Sequence, residues 1–269
     1  MHIKLSSFFF SIVLSIFSSQ SFAIEYLYKF SGGVNYWATP DLSGSLGSYK
    51  LTNGENGVNY YYNGSRLGFW GEATSGVFIV PNLKMSYQDI HYYGTGDISE
   101  ILNVEIANID LSTLLGQVES EIDFSYIEAV ASFHVPVIQL VDVDLGLKLR
   151  IHAVNYSIGL VGEQMERNSF YAPIPFLYTG VSKSFLEDSF TVSAEYSVLP
   201  FNGVLFETFD AFVRYQLPIQ EFSPIDVRIQ GGFQSFNFTI DGDSSFNFFT
   251  QEDGEFGFQS IVLGVVAVF

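Results

Sequence analysis

The sequence predicts an all-β chain that closes into a transmembrane, antiparallel, up-and-down β-barrel of about ten strands, with eight to twelve compatible. Three observations predict it. The N-terminus reads as a secretory leader. Long segments alternate apolar and polar side chains with a period of two. Past the leader, no apolar run reaches the roughly 18 residues that a membrane helix requires.

The leader comes first. Met1-His2-Ile3-Lys4 is a short basic start, and Phe8 to Phe17 is an apolar run broken only by serines. Ser21 and Ala23 place small residues at the third and first positions before a cleavage point. The expected division is therefore 1–23 as signal peptide, cleaved after Ala23, and 24–269 as a single barrel domain. The apolar run is too short to be a membrane anchor of about 20 residues. No Cys follows it, which excludes a lipoprotein anchor.

Composition narrows the function classes. The chain holds 29 acidic and 11 basic residues, a formal charge of −18, and loss of Lys4 with the leader makes the mature chain one unit more negative. Nucleic acid binding needs Lys and Arg against phosphates, so no nucleic-acid partner is expected. With no cysteine in the chain, hydrogen bonds and packing must hold it. No cofactor or metal set is expected: Asp241-Gly242-Asp243 lacks the remaining ligand positions of a calcium loop.

The strands follow from their alternation. Val141 to Ala153 puts Val141, Val143, Leu145, Leu147, Leu149, Ile151 and Ala153 on one face. Asp142, Asp144, Gly146, Lys148, Arg150 and His152 lie on the other. A period of two over this length is a strand between two different solvents, long enough to cross a bilayer at a tilt. Similar segments place strands near Glu25–Trp37, Arg66–Ser75, Leu83–Tyr93, Glu121–Phe133, Val141–Ser157, Pro175–Ser184, Phe190–Leu199, Val204–Leu217, Ile225–Thr239 and Gly257–Phe269. Short Pro-containing connections, such as Val80-Pro81-Asn82 and Val135-Pro136-Val137, alternate with long ones. Ala38–Ser65, Gly94–Ser120, Gly159–Pro173 and Ile240–Phe256 are the long ones and read as external loops. The last strand carries Ile261, Leu263, Val265, Ala267 and Phe269 on one face. That face resembles the C-terminal signature by which the barrel-assembly machinery recognises outer-membrane proteins.

Parity decides where the charges go. A Lys or Arg facing lipid at mid-depth costs about 2–4 kcal/mol. Turning both Lys148 and Arg150 outward would cost roughly 4–8 kcal/mol against a whole stability of about 5–15. The lumen should therefore hold Lys29, Lys84, Lys148, Arg150, Arg214 and Arg228 with Glu72, Glu128, Asp142, Asp144, Glu195, Asp210 and Asp226, and His152 beside them. The signs nearly balance, so the excess negative charge belongs to the connections. A barrel near this size is narrow enough for side chains to fill, and luminal Trp70 and Phe212 favour packing over an open channel.

The expected role is structural or surface-interacting, in the outer membrane of a Gram-negative envelope, as a monomer. The expected partners are outer-membrane lipids and lipopolysaccharide, with the assembly machinery during insertion; the acidic loops have two readings, a divalent-cation bridge to lipopolysaccharide and, more commonly, charge that merely solvates a loop. A passive small-solute channel is the alternative. A soluble periplasmic β-sandwich or lipocalin-like protein is a further one. An enzyme is not expected: the mature chain has only His91, His134 and His152 and no Gly-x-Ser-x-Gly elbow, although outer-membrane lipid hydrolases and proteases exist as a class.

The mature chain also resembles an uncharacterised family of outer-membrane β-barrel proteins of about 250 residues. The resemblance rests on Gly32-Gly33, Val80-Pro81-Asn82-Leu83-Lys84, Asp142 to Lys148, Ile174-Pro175-Phe176-Leu177-Tyr178 and Val227 to Thr239. Gly76-Val77-Phe78-Ile79 departs from it where a second Pro would stand. The resemblance implies a fold and a location, and no catalytic residues.

Overall fold

Apolar side chains that alternate with ionised ones cannot be buried by a flat sheet in water. They can be by a closed sheet in lipid. The structure, a computed structural model, shows that closure. It describes residues 27–46, 48–51, 57–64, 66–99, 105–106, 109–135, 141–186, 188–201, 203–218, 225–241 and 253–269. The signal peptide and its cleavage point, most of the Val135-Pro136-Val137 turn and most of the acidic Ile240–Phe256 loop lie outside the described residues.

Four of the chain's passages consist of two strand segments end to end. β1 (Tyr28–Trp37) leads into β2 (Asp41–Leu46). After β3 (Tyr49–Lys50), β4 (Gly57–Tyr62) leads into β5 (Leu67–Ser75). β6 (Asn82–Gln88) leads into β7 (His91–Ile98). β8 (Glu105–Ile106) and β9 (Ile109–Asp110) form a small ladder of their own, followed by a 3-10 turn at Leu111–Thr113. β10 (Gly116–Asp123) leads into β11 (Tyr126–His134). Six single strands complete the chain: β12 (Asp142–Leu160), β13 (Glu166–Phe185), β14 (Phe190–Phe201), β15 (Val204–Gln216), β16 (Asp226–Ile240) and β17 (Gly254–Val268).

Ten of these strands make the ring, in the order β1–β5–β6–β11–β12–β13–β14–β15–β16–β17 and back to β1, and consecutive ring members are antiparallel. The ten sequence segments above are these ten strands. The strands are staggered. Following partners around the ring from Phe30 leads through Ala73, Leu83, Ala131, Leu147, Leu177, Val198, Glu207, Asn237 and Gly257 to Ser43, well above the start on the same passage. Such a stagger accompanies tilted barrel strands.

The long connections differ from the sequence expectation. Ala38–Ser65 and Gly94–Ser120 were expected as loops, yet they contribute β2, β3, β4, much of β7 and part of β10. These segments form a second arc, β17–β2–β3–β4–β7–β10–β12, stacked above the first. The ladder of β7 with β10 keeps the register of β6 with β11, so the wall simply continues upward. Likewise Gly159–Pro173 is largely strand, because β13 pairs with β12 up to Glu166↔Ile158.

The reason is an inversion of phase along single strands. In the lower part of β16, Ile229 and Phe233 face outward and Gln230 inward. Above Gln234 the apolar side chains turn in (Phe236, Phe238, Ile240), and Asn237 and Thr239 face out. β12 inverts above Ile151, with Val154, Tyr156 and Ile158 buried and Asn155 exposed. β10 and β11 invert between Ile127 and Phe124, and Glu119, Glu121 and Asp123 hold the outer face above that point. The lower barrel therefore has apolar side chains outside and polar groups inside. The upper barrel has polar side chains outside and an apolar core inside.

One ladder is cut short. β13 and β14 pair from Phe185↔Phe190 to Leu177↔Val198 and no further. Continuing the register would set Pro175 opposite Pro200, and neither has an N–H to give. β14 and β15 close just above, through a tight turn with Gly203 at φ 76°, where a Cβ would be strained. Replacing both prolines with valine is expected to extend the ladder. The amides created at 175 and 200 should exchange roughly fivefold more slowly than unpaired ones, the factor for a hydrogen bond of about 1 kcal/mol. Unprotected exchange at both would show that the prolines do not set the end of the ladder.

Candidate functional site

The inward face of the ring strands holds two layers. The lower layer is ionic. Glu128 on β11 stands opposite Arg150 on β12, and Glu72 on β5 opposite Lys84 on β6. Arg150 donates through Nε (2.9 Å) and Nη2 (2.7 Å) to one oxygen, Glu128 Oε2. Lys148 Nζ lies 3.4 Å from the same oxygen and donates to Thr208 Oγ1 at 3.2 Å. Across the lumen, Lys84 Nζ holds both oxygens of Glu195, at 2.5 and 2.7 Å. Asp210 accepts from Gln234 Nε2 at 3.2 Å, Arg214 Nε donates to Gln230 Oε1 at 3.0 Å, and Gln230 donates to Asn35. Lys148, Arg150 and Glu128 are only 1%, 3% and 4% exposed.

The upper layer is aromatic. Phe206, Phe236, Phe238, Phe256 and Phe258 stack against one another with centroids 4.5 to 6.3 Å apart. Trp37, Phe124, Phe176 and Val262 belong to the same buried cluster. Arg150 joins the two layers, because its guanidinium lies 4.2 Å from the Tyr126 ring centroid and within 5.8 Å of those of Phe236 and Phe176. An arginine suits this seam: its planar cation can bond a carboxylate at its edge and lie on rings by its face. Higher still, Tyr60 donates to Ser120 Oγ at 2.7 Å, and Ser120 donates to the Ser157 carbonyl at 2.8 Å. Tyr49 shares a hydroxyl–hydroxyl bond with Tyr60 at 2.9 Å. Burial pushes the Tyr49 hydroxyl well above its ordinary value, so it stays a neutral hydrogen-bonding group.

The luminal charges read from the sequence are distributed unevenly. Glu72, Lys84, Glu128, Lys148, Arg150, Glu195, Asp210 and Arg214 gather in the ionic layer. Asp144 lies at the short-turn end, accepting from Asn82 Nδ2 at 3.2 Å, with His134 Nδ1 3.6 Å away. Asp142 is beside them and largely exposed. Asp226 and Arg228 are half-buried at the start of β16. Lys29 is exposed. His152 lies at the seam of the two layers: its ring is 5.5 Å from those of Tyr126 and Phe236, the same rings on which the Arg150 guanidinium lies. It sits just below the point where β12 inverts.

Sequence reasoning missed the neutral groups that complete the lattice: Asn35, Ser86, Thr208, Gln230 and Gln234. Gln230 and Gln234 already lie on the polar face of their segment, and that parity was the available signal. The apolar last-strand positions Ile261, Leu263, Val265 and Phe269 are exposed on the outer wall, and Ala267 is half-exposed between them.

No protein-family model and no curated protein matches the chain. Among solved structures, the crystal structure of outer membrane protease OmpT from Escherichia coli is similar. Its TM-score is 0.45 at 6% identity, over 90% of this chain and 97% of that one. That neighbour is a protease, which stands against the expectation that the chain is not an enzyme. A likeness at this level carries no activity, catalytic residue or substrate to this chain.

Proposed function

We propose that the chain is an integral β-barrel of the Gram-negative outer membrane, with a lumen filled by its own side chains and a structural or surface-interaction role in the envelope. The observation that carries this reading is the pair of luminal layers. A solute would have to pass the Glu128–Arg150–Lys148 lattice and then a close-packed aromatic stack. The belt of Leu145, Leu147, Leu149, Leu177, Val213 and Leu263, all exposed on the outer wall, supports lipid as its surroundings. Its partners would be the membrane's lipids and lipopolysaccharide, with the assembly machinery taking up the last strand. The chain would act as a monomer, after removal of residues 1–23.

Single-channel recording tests the reading. Purified barrel inserted into a planar bilayer should show no stable current steps. A reproducible conductance would overturn the filled lumen and favour a small-solute channel.

A further inference from the structure

Within the ionic layer, below Tyr126, lies a luminal cavity of about 40 Å³, lined among others by Ser86, Tyr126, Glu128, Arg150, Asp210 and Arg214. We infer that this cavity is a binding site for a cluster of about three ordered waters that completes the hydrogen bonding of Arg150. This site goes beyond the envelope role proposed above and does not depend on it.

Arg150 spends Nε and Nη2 on Glu128, while its buried Nη1 has no partner among the described residues. A buried donor without a partner is costly, and native proteins rarely leave one. A water needs roughly 10–15 Å³ of such space and two to four polar partners. The cavity offers room for about three by that measure. It also offers both kinds of partner: donors from Arg150 and Arg214, acceptors from Asp210 and Glu128, and the hydroxyls of Ser86 and Tyr126.

Charge decides between water and a small anion. Two guanidiniums and Lys84 on the lining suggest an anion at first sight. The lattice around them, however, is balanced. Lys84, Lys148, Arg150 and Arg214 face Glu72, Glu128, Glu195 and Asp210. An added anion would be a buried charge with no counter-ion, and such a charge is expensive. Water satisfies the free donor and adds no charge.

The test is a crystal structure of the wild-type barrel grown with bromide as the halide, measured at the bromine edge and to a resolution that shows waters. About three water peaks should appear in the cavity, one of them within hydrogen-bond distance of Arg150 Nη1, without anomalous signal. A bromide peak there, or no density, would overturn the proposal. In solution, oxygen-17 relaxation dispersion should count about three fewer long-lived waters in Ser86→Leu, whose side chain fills the space. An unchanged count in a folded Ser86→Leu barrel would also sink it.

Discussion

Replacing Glu128 with alanine is expected to destabilise the barrel by about 3–5 kcal/mol, the cost of stranding buried charge. Two cations depend on this one carboxylate: Arg150 bonds it twice, and Lys148 lies 3.4 Å away with its side chain sealed from solvent. Against a total of about 5–15 kcal/mol, the loss would be a large part of the whole. Unfolding in denaturant from lipid vesicles, followed by Trp37 and Trp70 fluorescence, measures it. The informative companion is Glu128→Leu combined with Lys148→Met and Arg150→Met. Apolar replacement of a whole buried ionic group is often neutral or better, so this triple variant should regain most of the loss. If Glu128→Ala costs less than 1 kcal/mol, the lattice does not hold the lower lumen together.

The ionic layer was legible because lipid makes parity strict. Once Leu147 and Leu149 must face acyl chains, Lys148 and Arg150 have nowhere to go but inward, and the same logic places Glu195, Asp210 and Arg214. The aromatic layer was not legible by that logic. Phe236-Asn237-Phe238 and Phe256-Gly257-Phe258 keep the period of two, but their apolar face points the other way. A reading that follows one apolar face outward along a strand runs on into such a stretch, or stops beside it at Phe256, without showing that the apolar face has turned to the core. Glu119 was assigned to a loop for the same reason, although Val118 and Ser120 on either side of it are buried. The period shows that a segment is a strand. Which face is greasy depends on the solvent at that height, and a single sequence marks the change only as a shift of phase.

That inversion makes the membrane boundary testable at single positions. Leu147 is 65% exposed in the middle of the apolar belt, and its neighbour Lys148 is buried in the lattice. Leu147→Arg should cost about 2–4 kcal/mol in a bilayer, the depth-dependent cost of a lipid-facing guanidinium. Asn237, exposed on the outer face of β16 above the inversion, is the control. Asn237→Arg should change stability by no more than about 0.5 kcal/mol, as for an ordinary surface substitution. In a protein surrounded by water the two positions would be equivalent, because both side chains are exposed and neither holds a buried partner. The difference between the two variants, read from unfolding in vesicles, therefore reports the solvent at each height and nothing about the lumen. Equal and small costs would remove lipid from the outer wall, and with it the reason for placing the chain in a membrane. A high cost at Leu147 with none at Asn237 would fix the upper edge of the bilayer between these two levels, where β12, β16 and the β10–β11 passage change the face they turn to the core.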